Sequence, residues 1–529
     1  MRSTLFKKAG ATALALALGT AALSACGSTD NNKGSDGGDK ANGGAPTKIT
    51  MLVLGDKPTN GRLENMLEKL NARLTEQTNA TLELFYVEWA DWQTQYNVQL
   101  LSGDSNVDLI TTATDWLFAW ENAKKGAFLP LTEEMLQANA PKTWEQVNAA
   151  GDWDLTKLPD GNIYFIPEDN YTQYTNHGFF YRGDWAKEAG FANGELTKFE
   201  DFTTYFKWIK QNKPEAYPWD VAGSLSAALD GYVQGHTDWQ TIQQLTAGNF
   251  FPFQTRESDP YKVGSWLMEG DELLAAANLA KEWNEIGVWR EDALNYDGDT
   301  REAFYAGLSG ADQHHTQTFL SQIVDNMNKK QPGSDPKMFY WGQENNNFFR
   351  DIKTHGAMAV SAQSKNPEKA LQVYDLIRND KEDYYLLNFG IEGTDYVITD
   401  DGKLDRPEGW DGSKDGLGSN FWAGRMDEFE PPKVTDAPNV KEIYANLDSK
   451  AKDYPYETLI FNKDAIESTM AAMGGVLSEY IPQLQYGKFE DPAKAIADMR
   501  KQLKDAGYDE ALAAIQADMD AWATERGLK

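Results

Sequence analysis

From Lys48 onward the apolar residues follow two alternating rhythms. KITMLVLG (48–55) is a continuous apolar run ending at a glycine, the pattern of a strand buried on both faces. Leu63, Met66, Leu67, Leu70 and Leu74 then recur every three or four positions, which predicts a helix over 60–78. TLELFYVEW (81–89) predicts a second strand and 91–102 a second helix with Asp91 as its N-cap. VDLITTAT (107–114) predicts a third strand and 115–125 a third helix. Strand–helix–strand units of this length imply a parallel sheet with helical crossovers. Ligands of such sheets sit beyond the C-terminal ends of the strands, so the loops at Glu88–Trp92 and Thr114–Trp116 are expected to face a ligand.

The pattern is less regular afterwards. Asp160-Gly161 between short apolar segments predicts a hairpin with a type I′ turn, and HGFFYRGDWAKEAGF (177–191) a strand turning into a short helix. A helix over 200–212 is preceded by Thr197 and Glu200 at capping-box spacing. Further helices are expected over 270–286, over 367–379 behind Asn366-Pro367, and from Asp491-Pro492 to Gly507. A loop-rich stretch occupies 400–440, and no internal repeat is visible.

The N-terminus has a different pattern. Arg2, Lys7 and Lys8 precede an apolar run to Leu23, about 15 residues against the ~20 that span a bilayer, so it reads as a signal-peptide core. Leu23-Ser24-Ala25-Cys26 resembles the bacterial lipobox, in which Cys26 would receive a diacylglycerol and become the new N-terminus. Residues 26–47 are Gly/Ser/Asn/Asp-rich without apolar periodicity and are expected to be a flexible tether. The protein is therefore expected outside the cytoplasmic membrane of a Gram-positive bacterium, held only by its lipid.

Composition narrows the partners. The 529 residues allow two to four domains, and Cys26 as the sole cysteine excludes a disulfide framework and thiolate metal sites. With 50 basic and 81 acidic residues the net charge is −31, and loss of the three leader cations takes it to −34. Nucleic acid is thereby excluded as a partner. Strong acidity together with 17 tryptophans suits a neutral, hydroxyl-rich ligand better than an anion.

LPDGNIYFIP followed by FFYRGDWAKEAGF resembles the extracellular solute-binding proteins of ABC sugar importers, whose members carry a "DGKIYGIP"-like hairpin and then a strand entering a short helix. AMAVSAQSKNPEKALQVYDLI (357–377) is similar to that family's "ISANSKNPEEAAKFL" segment, and FGIEGTDYVI (389–398) to a sequence of its long members. The resemblance implies an α/β, two-lobed periplasmic-binding-protein-like fold of type II. One lobe would be 48–168 plus 364–420 and the other 178–356 plus 435–529. The hinge segments would fall near 169–177, 357–363 and 421–434. It also implies an oligosaccharide ligand, the transmembrane subunits of an ABC permease as partner, and a monomer.

Pyranose C–H faces stack on aromatic rings while hydroxyls take carboxylates, amides and arginine. Trp92, Asp115 and Trp116 at strand ends are the first candidates. Tyr174 and His177 follow in the hinge, then Trp219 in AYPWDVAG, His236 and Trp239 in GYVQGHTDW, Trp341 and Glu344 in YWGQEN, and Trp422 and Arg425 in GSNFWAGRMD. Trp208 and Trp283 lie on apolar helix faces and are expected in the core.

Enzyme chemistry has little support. Adjacent acids such as Glu133-Glu134 and Asp400-Asp401 read as solvated surface, and no G-x-S-x-G, Walker or H-E-x-x-H motif occurs. His314-His315 cannot share a helix face, so no metal pair is expected there. A calcium loop from Asp297 fails because Arg301 takes the fifth position and no glycine the sixth. No catalytic residue, metal ligand or cofactor is expected, with a structural calcium on scattered oxygens left open. The leading reading is capture of a neutral oligosaccharide, with manno-oligosaccharides or another plant or host glycan fragment as candidates. The alternatives are an oligopeptide-binding lipoprotein and a secreted glycoside hydrolase.

Overall fold

The computed structural model describes residues 44–529, apart from 91, 103–105, 170–176, 224–226, 248–249, 297, 299 and 351. Cys26, Asp91, Tyr174 and the start of the tested calcium loop therefore lie outside the described residues. No helix among those described is long and apolar enough to cross a membrane.

The first sheet has five strands in the order Ala80–Val87, Thr47–Leu54, Leu109–Thr112, Ala357–Val360, Ile166–Pro167. The first three are parallel, as the strand–helix alternation predicts, and Ala357–Val360 runs antiparallel to both of its neighbours. The unbroken apolar run of Thr47–Leu54 has a direct cause, because both faces are covered. Ile49, Met51 and Val53 pack with Leu63, Met66 and Leu70 of the helix Arg62–Thr78 and with Leu371 and Tyr374 of the helix Pro367–Asn379. Leu52 and Leu54 point the other way, onto Tyr96 and Leu100 of the helix Trp92–Leu101 and onto Leu117 and Trp120. Each such aliphatic side chain contributes about 1.5–3 kcal/mol on burial.

A second, antiparallel sheet pairs His177–Arg182 centrally with Pro336–Tyr340 and Ala311–His315. Its core is aromatic: Phe179, Phe199, Phe202, Phe206, Trp219, Trp283, Trp289 and Phe339 interlock, with Phe199 and Trp283 stacked at 5.7 Å and 10°. A third sheet of Trp239–Thr241, Gln254–Arg256 and Asp259–Gly264 packs with the C-terminal helices Glu467–Gln485, Pro492–Asp505 and Tyr508–Glu525. The described residues thus form an α/β fold built on these sheets.

Several expectations meet the coordinates closely, including the helix Pro367–Asn379 and the Asp491 cap, whose carboxylate accepts from the Lys494 amide at 3.0 Å. Others need correction. Residues 357–360, assigned to the hinge, form a strand of the first sheet, so the chain changes sheets between Tyr340 and Ala357. The Asp160-Gly161 turn has positive φ only at Gly161 (82°) and so is not type I′; Asp160 instead accepts from the Asn162 amide and the Tyr164 hydroxyl. The capping partner of Thr197 is Asp201, which accepts from the amides of Thr197 and Lys198 and leaves Glu200 free for other contacts.

Candidate functional site

The loops that leave the C-terminal ends of the three parallel strands carry tryptophans, and these converge. Trp116 is the centre. Trp89 stacks on it at 6.2 Å and 25°, Trp92 meets it edge-on at 5.4 Å, and Trp422 tilts against it at 5.4 Å. Trp422 arrives from 300 residues away because the loop before it is fastened to the end of the central strand. The Asn420 carboxamide donates to the Leu54 carbonyl at 2.8 Å, and a Cβ on Gly55 would sit 1.8 Å from that carboxamide, so only glycine admits the contact. Trp92, Trp116 and Trp422 are half-buried and Trp89 is 46% exposed, so the cluster rests on the first lobe and opens to solvent. Trp89 belongs to the Glu88–Trp92 loop that the strand-end rule assigns to the ligand.

Polar groups sit against this aromatic surface. The Trp116 indole donates to the His355 carbonyl at 3.1 Å, and His355 Nδ1 lies 2.7 Å from Asp115 Oδ2. Asp115 is therefore placed beside Trp116 as expected, with His355 as a partner separated by 240 residues. Beyond it, the Glu168 amide donates to the Gly356 carbonyl and the Asp169 amide to the Arg425 carbonyl, at 3.0 and 3.2 Å. Arg425 Nε donates to Asp427 at 3.1 Å, and the Asp427 amide to Asp169 at 3.1 Å. Burial pushes the Glu168 carboxyl up to about 7, although His355, Arg425 and Arg378 draw it back. Near neutral pH Glu168 can thus donate to or accept from a hydroxyl. A cavity of about 360 Å³ adjoins these residues, lined by Asn420, Trp422, Arg425, Arg406 and Trp410 among others.

From the second sheet, His177 pairs in register with His315. The His177 ring lies 5.7 Å from His314 and 5.0 Å from His315. Burial lowers His177 and His314 to about 4, and burial plus its histidine neighbours lowers His315 further. All three are neutral at pH 7 and each ring offers one donor and one acceptor.

Other candidates are corrected. Trp219 is fully buried, edge-on to Phe179 at 4.9 Å, because the Trp219 amide donates to Val288 and Asp220 is fixed by Arg290 at 2.7 Å. Trp341 is buried in the same aromatic core, where its amide donates to the His177 carbonyl at 2.9 Å and its ring stacks on His177 at 5.8 Å. Trp239 is buried beneath the Arg256 guanidinium, 4.1 Å from its ring centre. His236 and Glu344 gather with Glu200 in a separate group. The acid pairs Glu133-Glu134 and Asp400-Asp401 are exposed, as expected of surface.

Comparison with known proteins gives this geometry a place. The chain is 25% identical over 526 residues to a carbohydrate ABC transporter substrate-binding protein of Streptococcus pneumoniae serotype 4, covering 97% of each chain. Among solved structures it is similar to the N-glycan transport solute binding protein NgtS of Streptococcus pneumoniae, with a TM-score of 0.70 and 20% identity over 91% of this chain and 100% of that one. It is similar also to the Streptococcus pneumoniae substrate binding protein FusA in complex with kestose, with a TM-score of 0.62 and 15% identity over 91% and 100% of the two chains. Residues 455–524, which hold most of the C-terminal helices, match a domain of unknown function (DUF3502). Residues 60–383 match the model of the bacterial extracellular solute-binding proteins, and the chain belongs to that family.

Proposed function

We propose that the chain is the substrate-capture lipoprotein of an ABC importer, binding a neutral oligosaccharide between its lobes and presenting the closed form to the membrane-spanning permease subunits. The observation that carries this reading is the half-exposed cluster of Trp89, Trp92, Trp116 and Trp422 beside Asp115, His355, Glu168 and Arg425. Stacking faces flanked by groups that both donate and accept match the alternation of C–H faces and hydroxyls around a sugar ring.

The relatives support the ligand class. NgtS has been solved in complex with Man5GlcNAc and FusA with kestose. A manno-oligosaccharide or another plant or host glycan fragment is accordingly the ligand we favour, bound without a cofactor and without chemical change. The lobes in this reading are 48–168 with 357–420, and 178–340 with 435–529. A micromolar ligand supplies about 8 kcal/mol, and taking an open:closed ratio from 1:99 to 99:1 needs about 5.5, so contacts to both lobes suffice to drive closure. The chain acts as a monomer, anchored through a diacylglycerol on Cys26. Titration of the intrinsic tryptophan fluorescence with Man5GlcNAc and kestose, followed by small-angle scattering, tests the proposal. A saturable change with a smaller radius of gyration supports it, and an unchanged spectrum and radius with every neutral glycan tried would remove it.

A further inference from the structure

Glu200, His236 and Glu344 come together from three elements of the second lobe. Glu200 precedes the helix Asp201–Asn212, His236 ends the helix Ala227–His236, and Glu344 lies in the turn after the strand Pro336–Tyr340. One ligating atom of each lies within 4.8 Å of the other two. The imidazole is oriented from behind: its Nδ1 is 2.8 Å from the Tyr232 carbonyl, and its ring stacks on Tyr232 at 4.0 Å and 12°. A carbonyl can only accept, so Nδ1 is the donor there, and Nε2 is turned to Glu200 Oε1 at 2.8 Å. Glu344 is held as well, since its Oε2 accepts from the Phe199 amide at 3.1 Å.

We infer that Glu200, His236 and Glu344 form a binding site for a divalent transition-metal ion of the zinc class. One imidazole nitrogen and two carboxylates are an N/O donor set that zinc accepts, with solvent supplying the fourth position at this surface site, whereas calcium and magnesium prefer oxygen alone. The Nδ1–H to carbonyl contact is the outer-shell support usual for a metal-bound histidine. The ion would fasten the turn 341–345 to two helices. Asn345 Nδ2 already donates to the Thr237 carbonyl from that turn, and the preceding Trp341 stacks on His177, so the bound ion would stiffen the second-lobe wall of the proposed sugar site.

The test is calorimetric titration of chelator-treated full mature chain, carrying Cys26→Ser to remove the competing thiol, with zinc chloride alone. One micromolar site and a rise in melting temperature are expected, with neither produced by equal calcium or magnesium. His236→Ala and Glu344→Gln should each weaken zinc at least tenfold, while His315→Ala retains it. Absence of saturable binding, or binding unchanged in both His236→Ala and Glu344→Gln, would overturn the inference. So would loss of binding in His315→Ala alone, which would move the ion to the buried histidines.

Discussion

Trp89→Ala separates a ligand-facing tryptophan from the buried ones. Trp89 is 46% exposed and contacts the cluster mainly through its stack on Trp116. A tryptophan buries roughly 150–250 Å² when fully covered, so a ligand can cover about 100 Å² of this ring. At about 25 cal/mol per Å² that surface is worth at most about 2.5 kcal/mol, and less where hydroxyls meet the ring edge. An affinity loss of about tenfold follows, equivalent to ~1.4 kcal/mol. The cost to stability should be no more than about 1 kcal/mol, the scale of one aromatic pair. Trp219→Ala should do the reverse: its ring is fully buried, so the fold loses about 3–5 kcal/mol while the protein that remains folded keeps its affinity. Calorimetry with a bound oligosaccharide, beside melting curves for both variants, reads the two effects separately. Wild-type affinity in Trp89→Ala with lost affinity in folded Trp219→Ala would refute the assignment of the sugar surface.

Three further outcomes are expected. Because Glu168 has its carboxyl raised from 4.5 to about 7, its protonated form is favoured on folding; that stabilisation is complete below 4.5 and lost as pH rises to 7. Glu168→Gln should therefore gain on wild type across that window, by at most about 3 kcal/mol, and the gain should level off above pH 7 in chemical denaturation. His177 and His314, lowered to about 4 from 6.5, act with the opposite sign: their stabilisation is complete above 6.5 and lost as pH falls toward 4. His314→Gln should reduce the fall in melting temperature between pH 6.5 and 5, and an unchanged profile would argue against the burial of that cluster. Arg378 is fully buried and donates to the Pro167 carbonyl, the Tyr374 hydroxyl and Gln146, at 2.9, 3.0 and 2.6 Å. Arg378→Ala should destabilise by roughly 3–5 kcal/mol in the same assay, since it strands these buried acceptors.

The strand–helix rhythm makes the first lobe legible, and the rule that ligands gather at strand C-termini points to the loops of Trp89, Trp92 and Trp116 from sequence alone. Their partners were not legible. Trp422 and His355 lie some 300 and 240 residues from the groups they touch, and nothing in local spacing encodes such a contact. Trp219 and Trp341 looked equivalent to Trp422 because a tryptophan in a short loop reads the same whether the loop turns inward or outward. The backbone bonds of Trp219 to Val288 and of Trp341 to His177 turn theirs inward, and only long-range backbone pairing reveals it. Glu200 shows a related limit. The spacing from Thr197 fits a capping box, but Asp201 takes that role, and Glu200 reaches His236 instead. As helix positions His314 and His315 would face apart, whereas in a strand their rings approach to 3.8 Å beside His177.

The central claim is reversible capture of a neutral oligosaccharide. Calorimetric titration of the mature chain with Man5GlcNAc, kestose and shorter fragments, with chromatography of the sugars afterwards, addresses it most directly. The account predicts one saturable site for at least one neutral oligosaccharide, weakened about tenfold by Trp89→Ala, with every sugar recovered intact. Cleaved sugar, or heat only from peptides or anionic glycans, would contradict it.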